Sequence, residues 1–394
     1  MAGISPPSPP TIASPEGEML RACARRVLEP EDRQRVRELA AGPLDWELLL
    51  RGAETQGLEP LLCWHLSEGT PESVPGEVRD RLKARFALHA RSNLLLAGEQ
   101  VRVLGRLEAA GIAALAYKGP VLAEGLYGNL ALREFSDLDI LVEPQSVLRA
   151  QEALLGLGYR PALELSTRQQ AASLRSGCEL GFVSREGAIA VELHWRIAPR
   201  HFCAEPPASE LLARAQWASV GGARMRTLAP EDLLLALSVH AAKHLWHGLG
   251  WICDISELLR ASPALDWAKV EGRAQKLGLR RLLYLPLQLA SEALGAPLPA
   301  EVRAGMAADP EVQALAREVL RRPLLQSAGP EWSVADHRFL LRARERRGDR
   351  LRYLLRLAVT PGSAEWQSVR LPGFLFPLYP AVRLVRLAGK GVRA

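Results

Sequence analysis

The side chains with the clearest chemical potential lie in Ser136-Asp137-Leu138-Asp139-Ile140-Leu141-Val142. As a β-strand this segment alternates its side chains, so Asp137 and Asp139 share one face while Leu138, Ile140 and Val142 take the other. Neighbouring carboxylates resist ionising together unless a cation or strong donor holds both charged. Magnesium, a hard ion that prefers oxygen ligands and is commonly shared with substrate phosphates, is the natural partner. A third acid comes from Ala190-Val191-Glu192-Leu193-His194-Trp195, where the same alternation buries Val191, Leu193 and Trp195 and leaves Glu192 and His194 opposite. If the two strands are neighbours, three carboxylates converge. Such a cluster can hold two magnesium ions roughly 3.5–4 Å apart, one activating an attacking hydroxyl and one neutralising a departing pyrophosphate. On spacing alone the pattern also describes the exposed face of a half-solvated strand.

The segment upstream favours the chemical reading. In Tyr117-Lys118-Gly119-Pro120 a strand runs into a glycine and a helix starts at a proline, a residue suited to the first helical position. A glycine corner ahead of helical N–H groups is an anion site, with Lys118 adding charge at its edge. Arg133 is a further candidate phosphate contact. The candidate nucleotide contacts are therefore Lys118, Gly119, Arg133, Ser136 and His194. The last is equally suited to bracing a carboxylate. His240 and His244 stand four apart on one helical face, but alanine follows His240 where a metalloprotease helix has glutamate, so they read as buried helix residues or as part of an acceptor pocket.

Positioning these groups requires a mixed unit between helical flanks. Apolar residues recur three and four apart through DWELLLRGAETQGLEPLLCWHL and RLKARFALHARSNLLLAGEQVRVLGRL, predicting helices separated by SEGTPESVPGE. Near Gly111 the period changes. GIAALAY, DLDILVE, CELGFVS and AIAVELHWRI read as strands, with helices after Pro120 and around SVLRAQEALLGLG. From Pro230 helical periodicity returns. The expected division is a disordered tail over 1–16, an N-terminal helical region over 17–103, an α/β core over 104–226 and a C-terminal helical region over 227–394.

The order KGP, helix, LREFSDLDILV and VELHW resembles the nucleotidyltransferases of the DNA polymerase β superfamily, and most closely a large bacterial group of uncharacterised nucleotidyltransferase family proteins. Pro230-Glu231-Asp232-Leu233, His240, His244, Trp246 and Asp254 echo that group's later helical pattern, and LPGFLFPLYPAVRLVRL its C-terminal segment. The resemblance implies an α+β, polymerase β-like core with a small mixed sheet. Gly119 would match the glycine turn, Asp137 and Asp139 the paired acids, and Glu192 the third acid, with two Mg2+ ions as cofactor and NTP as co-substrate. This chain has Gly-Pro where the superfamily has Gly-Ser or Gly-Gly, and proline offers no N–H to phosphate. The implied activity is transfer of NMP from NTP to a small molecule, protein or RNA end. A non-catalytic scaffold or biosynthetic accessory with the same fold is the alternative.

Composition bounds the rest. The chain has 394 residues, 48% hydrophobic and 24% charged, with net charge +6, as expected of a packed protein with a phosphate-bearing partner. Five cysteines without a CxxC pair read as reduced thiols, and no basic-apolar leader opens the sequence, so a cytoplasmic location is expected. The longest apolar stretches are short and interrupted by proline, so no membrane partner is expected. RARERRGDRLRYLLR reads as an amphipathic helix with a solvated basic face, and nucleic acid is not the favoured partner because no RNA-binding aromatic signature accompanies it.

Overall fold

The computed structural model describes residues 10–69, 73–326, 332–369 and 371–391. Four short helices come first: α1 (Pro15–Cys23), α2 (Pro30–Ala41), α3 (Trp46–Gln56) and α4 (Glu59–Gly69). Local chemistry sets their ends. Asp45 accepts from the Leu48 amide to open α3, and Gly57, at φ 68°, closes it. The long helix α5 (Gly76–Ala109) follows and joins two cores. Its first half contributes Val78 and Leu82 to the helical core. Its second half places Leu96, Val103 and Leu107 against the sheet.

The α/β unit runs β1 (Ala114–Ala116), α6 (Pro120–Leu122) continuing as a π turn (Ala123–Tyr127), β2 (Asp137–Val142), α7 (Val147–Gly156), β3 (Arg160–Pro161), α8 (Thr167–Ser176), β4 (Glu179–Val183) and β5 (Ala190–His194). The strands form one mixed sheet in the order β1-β2-β5-β4-β3. Only the central β2–β5 pair is parallel. One face buries Leu138, Ile140, Val142, Phe182, Val191 and Leu193 against α5 and α7. The other carries the polar side chains, while Leu115 and Leu141 on that face join the large helical core.

Next come α9 (Ala208–Ala213) and a hairpin of β6 (Gln216–Val220) and β7 (Ala223–Thr227). The hairpin lies outside the expected element order. Its signal is Gly221-Gly222, both at positive φ, as a tight two-residue turn requires. The C-terminal region is α10 (Pro230–Lys243), α11 (Leu249–Ala261), α12 (Trp267–Leu277), α13 (Arg280–Leu294), α14 (Ala300–Ala307), α15 (Pro310–Leu320), α16 (Val334–Arg342), α17 (Arg347–Val359), α18 (Ser363–Ser368) and α19 (Tyr379–Gly391). Among the described residues no helix is long and apolar enough to cross a membrane.

Two boundaries differ from expectation. Helix α5 continues to Ala109, so the division placed between residues 103 and 104 falls within one helix. Of the expected disordered tail, residues 1–9 lie outside the described residues. From Pro10 onward the segment is held: the Leu324 amide donates to the Pro10 carbonyl at 2.7 Å, and Ser14 caps α1.

Between α10 and α11, Leu245 and Trp246 both have positive φ, at 56° and 55°. The Trp246 amide reaches back to the Ala241 carbonyl, a helix-ending turn that usually has glycine. Left-handed backbone costs a non-glycine residue about 1–2 kcal/mol. Near-complete burial of both side chains offsets this cost.

The sheet core generates a stability prediction. Leu138 is fully buried beneath the acidic face, so Leu138→Ala should destabilise the fold by about 2–5 kcal/mol. Leu148→Ala, on the exposed side of α7, should stay within about 0.5 kcal/mol. Urea unfolding of the two variants checks the contrast.

Candidate active site

The parallel β2–β5 pairing sets Asp139 opposite Glu192 and Leu141 opposite His194. The antiparallel β5–β4 pairing adds Glu179 opposite His194 and Gly181 opposite Glu192. Because opposed residues in paired strands share a face, Asp137, Asp139, Glu192, His194 and Glu179 lie on one side of the sheet. Lys118 follows β1, and the chain turns at Gly119, whose φ is 62°. A Cβ there would lie 3.2 Å from the Asp137 carbonyl oxygen, so the turn demands glycine for both conformation and space.

Asp139 is the buried centre of this arrangement. Its Oδ1 accepts from Lys118 Nζ at 2.6 Å and from His194 Nε2 at 3.0 Å. Burial alone would raise the Asp139 pKa, but the Lys118 and His194 charges outweigh it and hold the carboxyl well below its usual range. Its Oδ2 is buried without a hydrogen-bond partner. Asp137 is less buried and is pushed up to about 6, first by desolvation and then by the charges of Asp139 and Glu192.

His194 links the paired acids to β4. Nε2 lies 3.2 Å from Glu192 Oε2, and Nδ1 lies 3.4 Å from Glu179 Oε2. Burial opposes its protonation, yet bonds to Asp139, Cys178 and Glu192 raise its pKa well above the usual imidazole value. Lys243 stands 3.6 Å from Glu179. Burial opposes ionisation of Glu179 too, but His194 and Lys243 bring its pKa down to about 2.

Two cavities flank this acidic row. One, of about 800 Å3, has Lys118, Gly119, Ser136, Asp137 and Asp139 in its wall, with His240, His244 and Trp251 among its other lining residues. The second, of about 670 Å3, is lined by Cys178, Glu179, Gly181, His201 and Trp366 among others. Strand order places Glu192, on β5, between Asp139 on β2 and Glu179 on β4.

The expected residues separate into two groups. Asp137, Asp139, Glu192, Lys118, Gly119 and Ser136 gather at or beside the first cavity and its acidic wall. Arg133 lines the same cavity but holds Asp254 in a two-pronged pair, with both contacts at 2.8 Å. Tyr127 donates to the same carboxylate. The expected phosphate contact therefore has a structural partner, supplied by α11 from 121 positions away. His194, expected to contact nucleotide, is instead buried under the carboxylates it braces.

Glu179 and Lys243 were not foreseen. Glu179 stands in an alternating strand segment like many solvated ones, and Lys243, though bracketed by His240 and His244, has nothing local that marks its acidic partner. His240 and His244 pack against each other and against Trp251, His240 edge-on to the indole, and His240 Nδ1 lies 3.4 Å from Lys118 Nζ. Among the described residues the groups able to hold a metal are Asp139, Glu192 and His194, and Cys178, Glu179 and His194.

Residues 42–295 match the family described as uncharacterised nucleotidyltransferase, a span of well over half the chain. The chain belongs to this nucleotidyltransferase family. No curated protein matches it. Among solved structures, that of the antibiotic-resistance factor ANT(2'')-Ia is similar at 15% identity, covering 45% of this chain and 91% of that one, with a TM-score of 0.30. The nucleotidyltransferase match begins before α3 and ends at Gly295, the residue that closes α13. It thus spans the sheet, both acidic strands and the α10–α11 pair that supplies Asp254.

The Arg133–Asp254 pair is almost fully buried, so removing one partner leaves a desolvated charge. Asp254→Ala should cost about 3–5 kcal/mol, and the double variant with Arg133→Met should recover part of that loss. A double-mutant cycle by chemical denaturation checks it. Acid should also weaken the fold. His201, His244 and His247 are each pushed down to about 4, first by burial and then by neighbouring cations. The unfolded histidines titrate near 6.5, so the unfolded chain binds more protons between these values and stability falls as pH drops from about 6.5 to 4. His244→Gln should flatten part of that decline in thermal melts.

Proposed function

We propose that the protein transfers a nucleoside monophosphate from a nucleoside triphosphate to a hydroxyl or phosphate of an acceptor, releasing pyrophosphate, with magnesium held by Asp137, Asp139 and Glu192. The register that places Asp139 directly opposite Glu192 carries this reading. The donor set suits a hard divalent ion. Asp139 Oδ2 is buried and unpartnered, one oxygen each from Asp139 and Glu192 lies within 4.8 Å of the other, and Asp137 has an elevated pKa that a cation would relieve.

Bound magnesium would neutralise the triphosphate and lower the pKa of the acceptor hydroxyl. The protein's own groups do the positioning. Lys118 faces Asp139 from the cavity wall and, with Ser136 and the Gly119 turn, would meet the triphosphate. His194 braces Asp139 and Glu192 from below. The acceptor oxygen forms a bond to the α-phosphorus as the bond from that phosphorus to the pyrophosphate oxygen breaks. The acceptor proton leaves on the Glu192 side, where that carboxylate is a third exposed. Because Pro120 has no N–H, the turn contributes space more than hydrogen bonds to this grip. Free thiols at all five cysteines fit a reducing compartment, and we assign the protein to the cytoplasm on that basis.

Calorimetric titration with NTP in the presence and absence of magnesium tests the proposal, which requires metal-dependent binding. Glu192→Gln should lower turnover by about two to three orders of magnitude while leaving the melting temperature close to that of the parent, because that carboxylate is a third exposed. A non-catalytic role would show itself if the Asp137→Asn/Asp139→Asn double variant folded normally and preserved the cellular phenotype.

A further inference from the structure

Seven large apolar side chains stand exposed on or beside two helices that pack together, α17 and α19. They are Leu351, Leu354, Leu355 and Val359 on α17, and Leu378 just before α19 with Leu384 and Val385 within it. Leu355 is 58% and Val385 74% exposed, values unusual for residues of this size in a packed helical region. On α17 they recur at positions 351, 355 and 359 with 354 alongside, and near α19 at 378 and 385 with 384 alongside, so each group follows a helical stripe.

Charge is equally concentrated. From Arg346 to the end the sequence has ten arginines and lysines against two acidic residues, Asp349 and Glu365, so this stretch alone exceeds the net +6 of the whole chain. Glu365 is fully buried between Arg383 and Arg386 and offers nothing to the outside. Arg346, Arg347 and Arg352 are exposed. Arg356 lies among Arg200, Arg352 and Arg196, and burial together with these like charges pulls its pKa below the usual guanidinium value. The surface therefore combines protruding leucines and valines with a surplus of cations and almost no compensating acid.

We propose that the α17–α19 surface docks the protein on an anionic lipid bilayer, with the exposed leucines and valines entering the headgroup region and the surrounding arginines meeting lipid phosphates. Amphipathic helices with a cationic polar face bind such surfaces through apolar burial plus electrostatic attraction. Nucleic acid would satisfy the arginines but leave the apolar stripe in water. A second copy of this chain would bury the stripe but bring two positive surfaces together. An anionic bilayer satisfies both features at once. The same helices border the second cavity, since Thr360, which ends α17, and Arg383 of α19 contribute to its wall. Docking would thus hold that cavity beside the lipid surface.

Flotation of the full-length protein with vesicles of pure phosphatidylcholine, and of phosphatidylcholine mixed with phosphatidylglycerol, tests this. Binding is expected to the mixed vesicles only, and it should fall by about tenfold or more as ionic strength is raised. Leu355→Glu combined with Val385→Glu should abolish flotation. Because both side chains are largely exposed, the melting temperature should be unchanged, and the milder Arg347→Gln/Arg352→Gln variant should weaken binding without removing it. The proposal is overturned if the parent fails to float with the mixed vesicles, or if the Glu variant floats undiminished. It is equally overturned if sedimentation shows a dimer that the Glu variant dissociates, or if the parent binds RNA and not the mixed vesicles.

Discussion

The site depends on keeping Asp139 ionised inside the protein. A carboxylate with almost no solvent contact would normally take up a proton, and its partner acids two residues and one strand away would reinforce that tendency. Lys118 and His194 reverse the outcome by placing two positive donors on one oxygen. With Oδ1 satisfied from the protein, Oδ2 keeps its acceptor capacity. The rest of the architecture brings these two cations to that oxygen: Lys118 from the end of β1, His194 from the strand paired in parallel with β2.

Holding them there requires the helical flanks. Asn93 of α5 donates to the Leu130 and Arg133 carbonyls and so fixes the segment that leads into β2. Arg133 is tied in turn to Asp254 on α11, and Tyr127 shares that carboxylate. The strained turn at Leu245 and Trp246 reverses the chain between α10 and α11, so one helix presents His240 and Lys243 to the acidic face and the other returns Asp254 to Arg133. Asp232, at the start of α10, gathers Arg214 and Arg273. Asp232 and Asp254 are in this sense the braces of the C-terminal region. A chain cut at the end of the sheet would lose them and leave Arg133 buried without its counter-charge.

Two cavities lie on either side of one acidic row, and on the proposed reading they would take the two reactants. The larger has Lys118, the glycine turn and the paired aspartates in its wall, the groups proposed above to meet the metal and the triphosphate. The smaller is lined by leucines, Trp366 and serines together with Glu164, Glu179, His201 and Arg383. Glu192 sits on the strand between them, where a group acting on an oxygen shared by both molecules would have to be.

Alternation along DLDILV and AVELHW was enough to identify the three acids and the faces they occupy, because strand geometry makes the period of two a local property. The Gly119 corner and the helices flanking the sheet were legible for the same reason: backbone conformation and hydrophobic period are written over a few residues. The β6–β7 hairpin carried its own local signal at Gly221-Gly222 and was still missed, since two short, half-exposed strands leave little alternation to follow. What no local pattern contains is the choice of partner. Arg133 and Asp254 are 121 positions apart, Lys118 and His240 are 122, and each contact exists because the C-terminal helices pack onto the segments that lead out of β1 and into β2. The sequence by itself determined which side chains were available and which way each strand turned them. Only the tertiary structure decided which charges would neutralise one another, because that is settled by burial, and burial is a property of the assembled chain.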